Sequence, residues 1–354
     1  MKLAVYAICK NEVKHIKRWY ESIKEADGIF VTDTGSKDGS IELLKSLGVH
    51  VDEAVVSPWR FDLARNLSLQ NVPQDYDMCL CLDMDEIMLP NWREELEKVY
   101  YKGLNMVRYP YVFSWEDKEQ TIPQLTLYQF KIHSRQGYQW FYPVHEILGW
   151  IGEGKEQTLI CENIVSHHHP DPSKPRPYQK LLDDAVKEYP DDQRMCHLRG
   201  RELFMYGRNE EAIEELKRHL EITKDFIYKQ DSEGIAQTRA TSMRYIARAL
   251  FAIKQQNGDR EASDIITWLL RAVGESPYQR ETWIWLAQAW HTVGNYPQAY
   301  ACANMGLSIT ERAASIENEE ICWGDFPVRL MNDSYKKMIQ QEEVEIHDTE
   351  TANN

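Results

Sequence analysis

Cys79-Leu-Cys-Leu-Asp-Met-Asp-Glu86 is an apolar run that stops on two aspartates one residue apart. A buried strand that delivers carboxylates to a cleft reads this way. Strand side chains alternate between faces, so Asp83 and Asp85 are expected on one side, where two hard oxygen ligands suit Mg2+ or Mn2+ bound to a diphosphate. Taken alone, an Asp-x-Asp at a strand end is more often a solvated turn or a helix cap, and its neighbours in the sequence carry the argument.

Outward from this stretch, strand signals at residues 3–8, 28–33, 49–56 and 77–83 alternate with helix signals at 15–25, 40–47 and 61–69. Such alternation implies parallel strands with crossover helices, hence an open α/β sheet that binds ligands beyond the carboxyl ends of its strands. The polar motifs fall at those ends: Lys10-Asn11-Glu12, then Asp33-Thr-Gly-Ser-Lys-Asp-Gly39, then Asp83-Met-Asp-Glu86. After about residue 178 the pattern turns purely helical. Ala212, Ile213, Leu216 and Leu220 share one helix face, and Trp283, Leu286, Ala287 and Trp290 share another, which reads as core packing. Gly207, Gly258 and Gly294 each separate two amphipathic segments, an irregular echo of tetratricopeptide hairpins. The expected organisation is an α/β domain over 1–170, the linker Pro170-Asp-Pro-Ser-Lys-Pro-Arg-Pro177, a helical domain over 178–335 and a flexible acidic tail over 340–354.

With 354 residues the chain can bury two cores, and 43% hydrophobic content excludes a wholly disordered protein. No apolar run approaches the roughly 20 residues of a membrane helix, and residues 2–10 read as a short strand without the long apolar stretch of a signal peptide, so export by that route is not expected. Seven cysteines scattered through apolar segments lack paired metal spacing and fit reduced thiols in a cytoplasm. A net charge of −15 without a basic cluster disfavours nucleic acid as the main partner.

In order along the chain, Ala7-Ile-Cys-Lys-Asn-Glu12, Val31-Thr-Asp-Thr-Gly-Ser-Lys-Asp-Gly-Ser40, Phe61-Asp-Leu-Ala-Arg-Asn66 and Leu82-Asp-Met-Asp-Glu86 resemble the motifs of family-2 glycosyltransferases. Pro143-Val-His-Glu146 and Ser166-His-His-His169, followed by the helices, resemble the subgroup containing the peptide S-glycosyltransferases, although the sequence after the histidines departs from that subgroup's usual His-x-Gly-Tyr. The resemblance implies a GT-A (Rossmann-like) open mixed sheet followed by an all-α, tetratricopeptide-like domain. It implies that Lys10, Asn11 and Glu12 lie at a nucleotide-sugar site, with Asp33 on the base, Arg65 near the base or phosphates, Asp83 on the ribose and Asp85 on Mn2+ or Mg2+. His167 is expected to complete the metal shell. Capping of the following helix is the alternative for Asp33, and the preferred reading of Asp38.

Transfer of a sugar requires a neutralised leaving diphosphate and a deprotonated acceptor. Glu146, approached by the aromatic residues 138–142, is the expected base, with Glu86 its rival. The donor expected is a nucleotide-diphospho-sugar, most simply a UDP-sugar, transferred with inversion. The acceptor stays open among a peptide, a glycan, a lipid-linked sugar and a modified base. A homodimer through the helical half is a further expectation. Two other readings are a nucleotidyltransferase, which lacks its glycine-rich loop here, and a helical-repeat scaffold carrying an inactive glycosyltransferase-like domain.

Overall fold

The computed structural model describes residues 1–171, 178–225, 232–259, 261–313 and 317–352. The chain divides into two compact units, Met1–Pro177 and Tyr178–Asn354. Most of the expected linker, residues 172–177, lies outside the described residues.

The first unit runs β1 (Leu3–Cys9), α1 (Val13–Ile23), β2 (Gly28–Asp33), α2 (Ser40–Ser46), β3 (His50–Glu53), α3 (Phe61–Asn71), β4 (Met78–Cys81), β5 (Glu86–Met88) and α4 (Trp92–Val99). It continues with β6 (Met106–Trp115), β7 (Pro123–Ser134), β8 (Tyr138–Phe141), β9 (Ile147–Trp150), β10 (Thr158–Ile160) and β11 (Ser166–His168). The main sheet has the order β3-β2-β1-β4-β7-β6-β11-β5, with β10 also on β6. β1 to β4 are mutually parallel, and β7 enters antiparallel between β4 and β6. The sheet is therefore mixed, as the resemblance to the GT-A fold requires. β8 and β9 form a separate hairpin.

Amphipathic spacing explains how the helices pack. Ile16, Trp19 and Ile23 of α1 lie at i, i+3 and i+7 and are all buried against the sheet. The Trp19 indole donates to the Leu82 carbonyl at 3.1 Å, which anchors the chain one residue before Asp83.

A buried polar chain ties β1, β7 and β8 together. Trp140 Nε1 donates to the Tyr6 hydroxyl, Tyr6 meets His133 Nε2, and His133 Nδ1 faces the Ser134 carbonyl, at 2.9, 2.9 and 2.8 Å. A carbonyl can only accept, so Nδ1 carries the proton and Nε2 accepts from Tyr6. Both nitrogens are occupied in the neutral ring, and burial pushes the His133 pKa down to about 4. The unfolded chain takes up this proton first on acidification, so stability is lost as pH falls from about 6.5 towards 4, by up to about 3 kcal/mol. His133→Gln should flatten the dependence of unfolding free energy on pH in that window by up to one proton. An unchanged slope would contradict the neutral-ring assignment.

The second unit is helical: α5 (Tyr178–Glu188), α6 (Gln193–Met205), α7 (Asn209–Ile222), α8 (Ser232–Gln256), α9 (Ser263–Glu275), α10 (Arg280–Thr292), α11 (Tyr296–Ser308) and α12 (Phe326–Ala352). The three repeat glycines do the same job at the ends of α6, α8 and α10. Gly207, Gly258 and Gly294 have φ of +72°, +69° and +79°. Each is followed by a residue whose N–H returns to the helix: Arg208 to Leu203, Asp259 to Lys254 and Asn295 to Trp290. This is one Schellman turn used three times, and it needs a residue that tolerates the left-handed region. Leu286 and Ala287 are buried, and Trp283 and Trp290 pack on the same core. Where a flexible tail was expected, α12 continues to Ala352. The seven cysteines are buried and unpaired, and no helix among the described residues is long and apolar enough to cross a membrane.

Candidate active site

The loops after β1 and β2 interlock. Asn11, at φ +56°, accepts from Lys37 N–H at 2.8 Å, and its own N–H donates to Ser36 Oγ at 2.8 Å. Asn is among the few side chains that tolerate this left-handed backbone. Glu12 N–H donates to Ser40 Oγ. Asp38 accepts from the N–H groups of Val13 and Ser40, which is the capping role preferred for it. Asp33 is 1% exposed, and its oxygens accept from Gly35 N–H, Ser36 N–H and Ser36 Oγ. Asp33, the expected acceptor for a nucleotide base, is thus a buried residue that holds its own loop at residues 35 and 36, before α2 begins, and does not cap that helix. Lys10 is exposed at the rim.

The centre of the site lies just beyond β4. Asp83, Met84 and Asp85 form a turn rather than a strand end, closed by Glu86 N–H donating to the Asp83 carbonyl at 2.9 Å. The same-face argument for the two aspartates therefore does not hold, and they have different partners. Asp83 accepts from Arg65 Nη1 at 2.7 Å and Lys131 Nζ at 2.8 Å. Burial works to raise its pKa, but Arg65 and Lys131 outweigh burial and hold it well below the usual carboxylate range. Lys131 also reaches both oxygens of Glu86, at 3.0 and 3.1 Å. Glu86, 2% exposed, is raised by burial, against Lys131 and with help from Asp83 and Asp85. One lysine thus sits between two carboxyls whose pKa values are shifted in opposite directions.

Arg65 is buried on α3. Its helix neighbours Leu63 and Leu67 are 47% and 38% exposed, so its own surroundings come from other elements. Its Nε donates to Glu146 at 2.5 Å, Nη1 faces Cys81 Sγ at 3.3 Å, and the guanidinium lies 5.0 Å from the Trp140 ring centre. Asn66 bonds both the N–H and the carbonyl of Trp140, and Phe61 N–H donates to the Pro143 carbonyl, so α3 holds the segment leading to Glu146 at both ends. Tyr142 and His145 in that segment have φ of +74° and +49°, uncommon backbone for bulky residues. A cavity of about 400 Å³ opens beside the cluster, lined by Lys131, Trp140, Glu146 and the β8–β9 hairpin. Glu146 reaches this space, and Glu86 does not line it. Lys131 went unrecognised in the sequence because nothing in Gln129-Phe-Lys-Ile-His133 separates it from a solvated strand lysine.

Asp85 stands near the three histidines, but its imidazole neighbour is His168 rather than His167. His168 Nε2 lies 3.5 Å from Asp85 Oδ2, and Asp85 outweighs burial to raise the His168 pKa. His167, one residue away on β11, packs edge-on to Trp115. His169 N–H donates to the Asp85 carbonyl at 2.7 Å, and its Nε2 is buried without a hydrogen-bond partner among the described residues. No group of three His, Cys, Asp or Glu side chains that could hold an ion occurs among the described residues. The donor set fits a divalent ion only in part: Asp85 and His168 offer one carboxylate and one imidazole, and phosphate oxygens of a ligand would have to supply the rest.

No family model matches the chain. Among solved structures, a crystal structure of MamA aligns with 46% of this chain and 88% of its own, at 16% identity and a TM-score of 0.30. Glucosyl-3-phosphoglycerate synthase from Mycobacterium tuberculosis in complex with phosphoglyceric acid aligns with 51% of this chain and 74% of its own, at 18% identity and a TM-score of 0.35. The same synthase with Mn2+, uridine diphosphate and glucosyl-3-phosphoglycerate gives 17% identity, the same coverage of 51% and 74%, and a TM-score of 0.34.

Proposed function

We propose that the chain is a metal-assisted glycosyltransferase that moves a sugar from a nucleoside-diphospho-sugar, a UDP-sugar in the first instance, to a nucleophilic acceptor. The observation that carries this reading is the cluster beyond β4, where Arg65 and Lys131 bind Asp83, Glu86 and Glu146 beside an open cavity, with Asp85 and His168 adjoining. An ion on Asp85 and His168 would neutralise charge on the leaving diphosphate. Asp83, fixed by its two cations and still partly accessible, accepts a ribose hydroxyl. Glu146, held by Arg65 at the cavity wall, takes the acceptor proton, and Glu86 remains behind Lys131, outside the cavity lining. Asn11, Ser36 and Asp33 keep the adjoining loops rigid. The subgroup resemblance implies a peptide cysteine as acceptor, with a sugar hydroxyl as the other candidate.

Binding to the folded state raises stability by mass action. UDP with Mn2+ should raise the melting temperature of the full chain, UDP alone should do so less, and Asp85→Ala should remove the Mn2+-dependent part. If no UDP-, GDP- or dTDP-sugar shifts the melting temperature, the scaffold reading takes its place.

A further inference from the structure

We infer that the cavity beside Glu146 is the acceptor subsite and that it takes the pyranose ring of a saccharide; this rests on the reading that the adjoining cluster transfers sugar. β7 runs antiparallel to β4 with Leu80 opposite Ile132, so Lys131 and Gln129 overhang the carboxyl end of β4, where sheets of this kind bind ligands. The β8–β9 hairpin covers that overhang. About 400 Å³ lies between them, within the range of small-molecule sites.

The aromatic wall of this space is built. A Cβ on Gly137 or on Gly152 would lie 2.3 Å from a carbon of the Trp150 six-membered ring, so the indole occupies room that only glycines leave. Trp150 Nε1 donates to the Gly154 carbonyl at 3.2 Å, and the Tyr138 ring meets the indole edge-on at 5.2 Å. The ring is therefore fixed in position and orientation while remaining partly exposed. Trp140, locked by Tyr6 and Arg65, lines the cavity as well.

The polar lining consists of Gln129, Lys131, Glu146 and Glu156, with Glu156 oriented by a hydrogen bond from the Tyr138 hydroxyl. A pyranose presents C–H faces to an aromatic ring and hydroxyls at its rim to planar carboxylates and amides, and this lining offers both. Electrostatics favours a neutral polyol over a thiolate or a phosphorylated acceptor. Lys131 and Arg65 are already bound by Asp83, Glu86 and Glu146, which leaves the Glu156 carboxylate to set the sign of the field. In the transfer, the acceptor hydroxyl oxygen bonds to the anomeric carbon as the bond from that carbon to the diphosphate oxygen breaks. The hydroxyl proton passes to Glu146, and the nucleoside diphosphate leaves with the electron pair.

The test is saturation-transfer NMR on the full chain with methyl glycosides of glucose, galactose and N-acetylglucosamine, a cysteine-containing peptide, and UDP with Mn2+ as control. At least one glycoside should bind without nucleotide, and Trp150→Ala should weaken it by about tenfold or more while UDP binding changes less than about twofold. Gly152→Ala, which displaces the indole without deleting it, should act in the same direction and serves if Trp150→Ala does not fold. The acceptor assignment is overturned if UDP binds and no glycoside does, if sugar is held only as part of a UDP-sugar, if the peptide alone depends on Trp150, or if glycoside affinity ignores both substitutions. Failure of UDP and glycosides alike would instead remove the transferase reading beneath it.

Discussion

Arg65→Met should destabilise the first unit by about 3–5 kcal/mol at pH 7, because it leaves Asp83 and Glu146 without the guanidinium that both contact. The guanidinium is buried, and Asp83 and Glu146 are 25% and 12% exposed, so water replaces the lost partner only in part. Arg65→Lys should recover only part of the loss. A single ammonium cannot reproduce the fork to two carboxylates or the stacking over Trp140. The pH dependence has a definite sign. Asp83 is depressed in the folded state, so its contribution is complete above the unfolded carboxylate value of about 4 and is lost progressively as pH falls below it. The gap between wild type and Arg65→Met should therefore narrow below about pH 4. Hydrogen exchange at the β1 and β4 amides reads this unit separately from the helices. A change within about 0.5 kcal/mol at pH 7 would mean that the pair network contributes nothing beyond a surface ion pair.

Where sequence and structure agree, the information is local. Period-two and period-3.6 patterns placed β1, α1, β2, α2 and α3 within a few residues, and the spacing of Gly207, Gly258 and Gly294 marked three identical helix ends. Where they part, the missing information is long-range. Lys131 reaches Asp83 and Glu86 from 48 and 45 residues away, and Arg65 reaches Glu146 across 81. No spacing rule reports such contacts. The shift from His167 to His168 follows from a register of β11 against β5 that pairs His168 with Glu86, and a change of one residue on a strand reverses the face presented. The aspartate turn was misjudged for a similar reason: β4 stops at Cys81, and pairing does not resume until Glu86.

Asp85→Ala should lower sugar transfer by at least about a hundredfold while leaving the fold intact, since electrostatic groups that neutralise a leaving group commonly contribute that much. Asp85 is suited to such a substitution because it belongs to neither the Arg65 nor the Lys131 pairs, so its removal leaves no buried cation unpaired. His168→Ala should act in the same direction, and His167→Ala should act less. The direct measurement is release of UDP from a panel of UDP-sugars by the full chain, with and without Mn2+, followed by NMR in the presence of candidate acceptors. Metal-dependent UDP release that depends on Asp85 is the expected result. Folded, UDP-binding protein that releases no UDP from any sugar nucleotide with any acceptor, or an Asp85→Ala variant that turns over like wild type at saturating Mn2+, would contradict it.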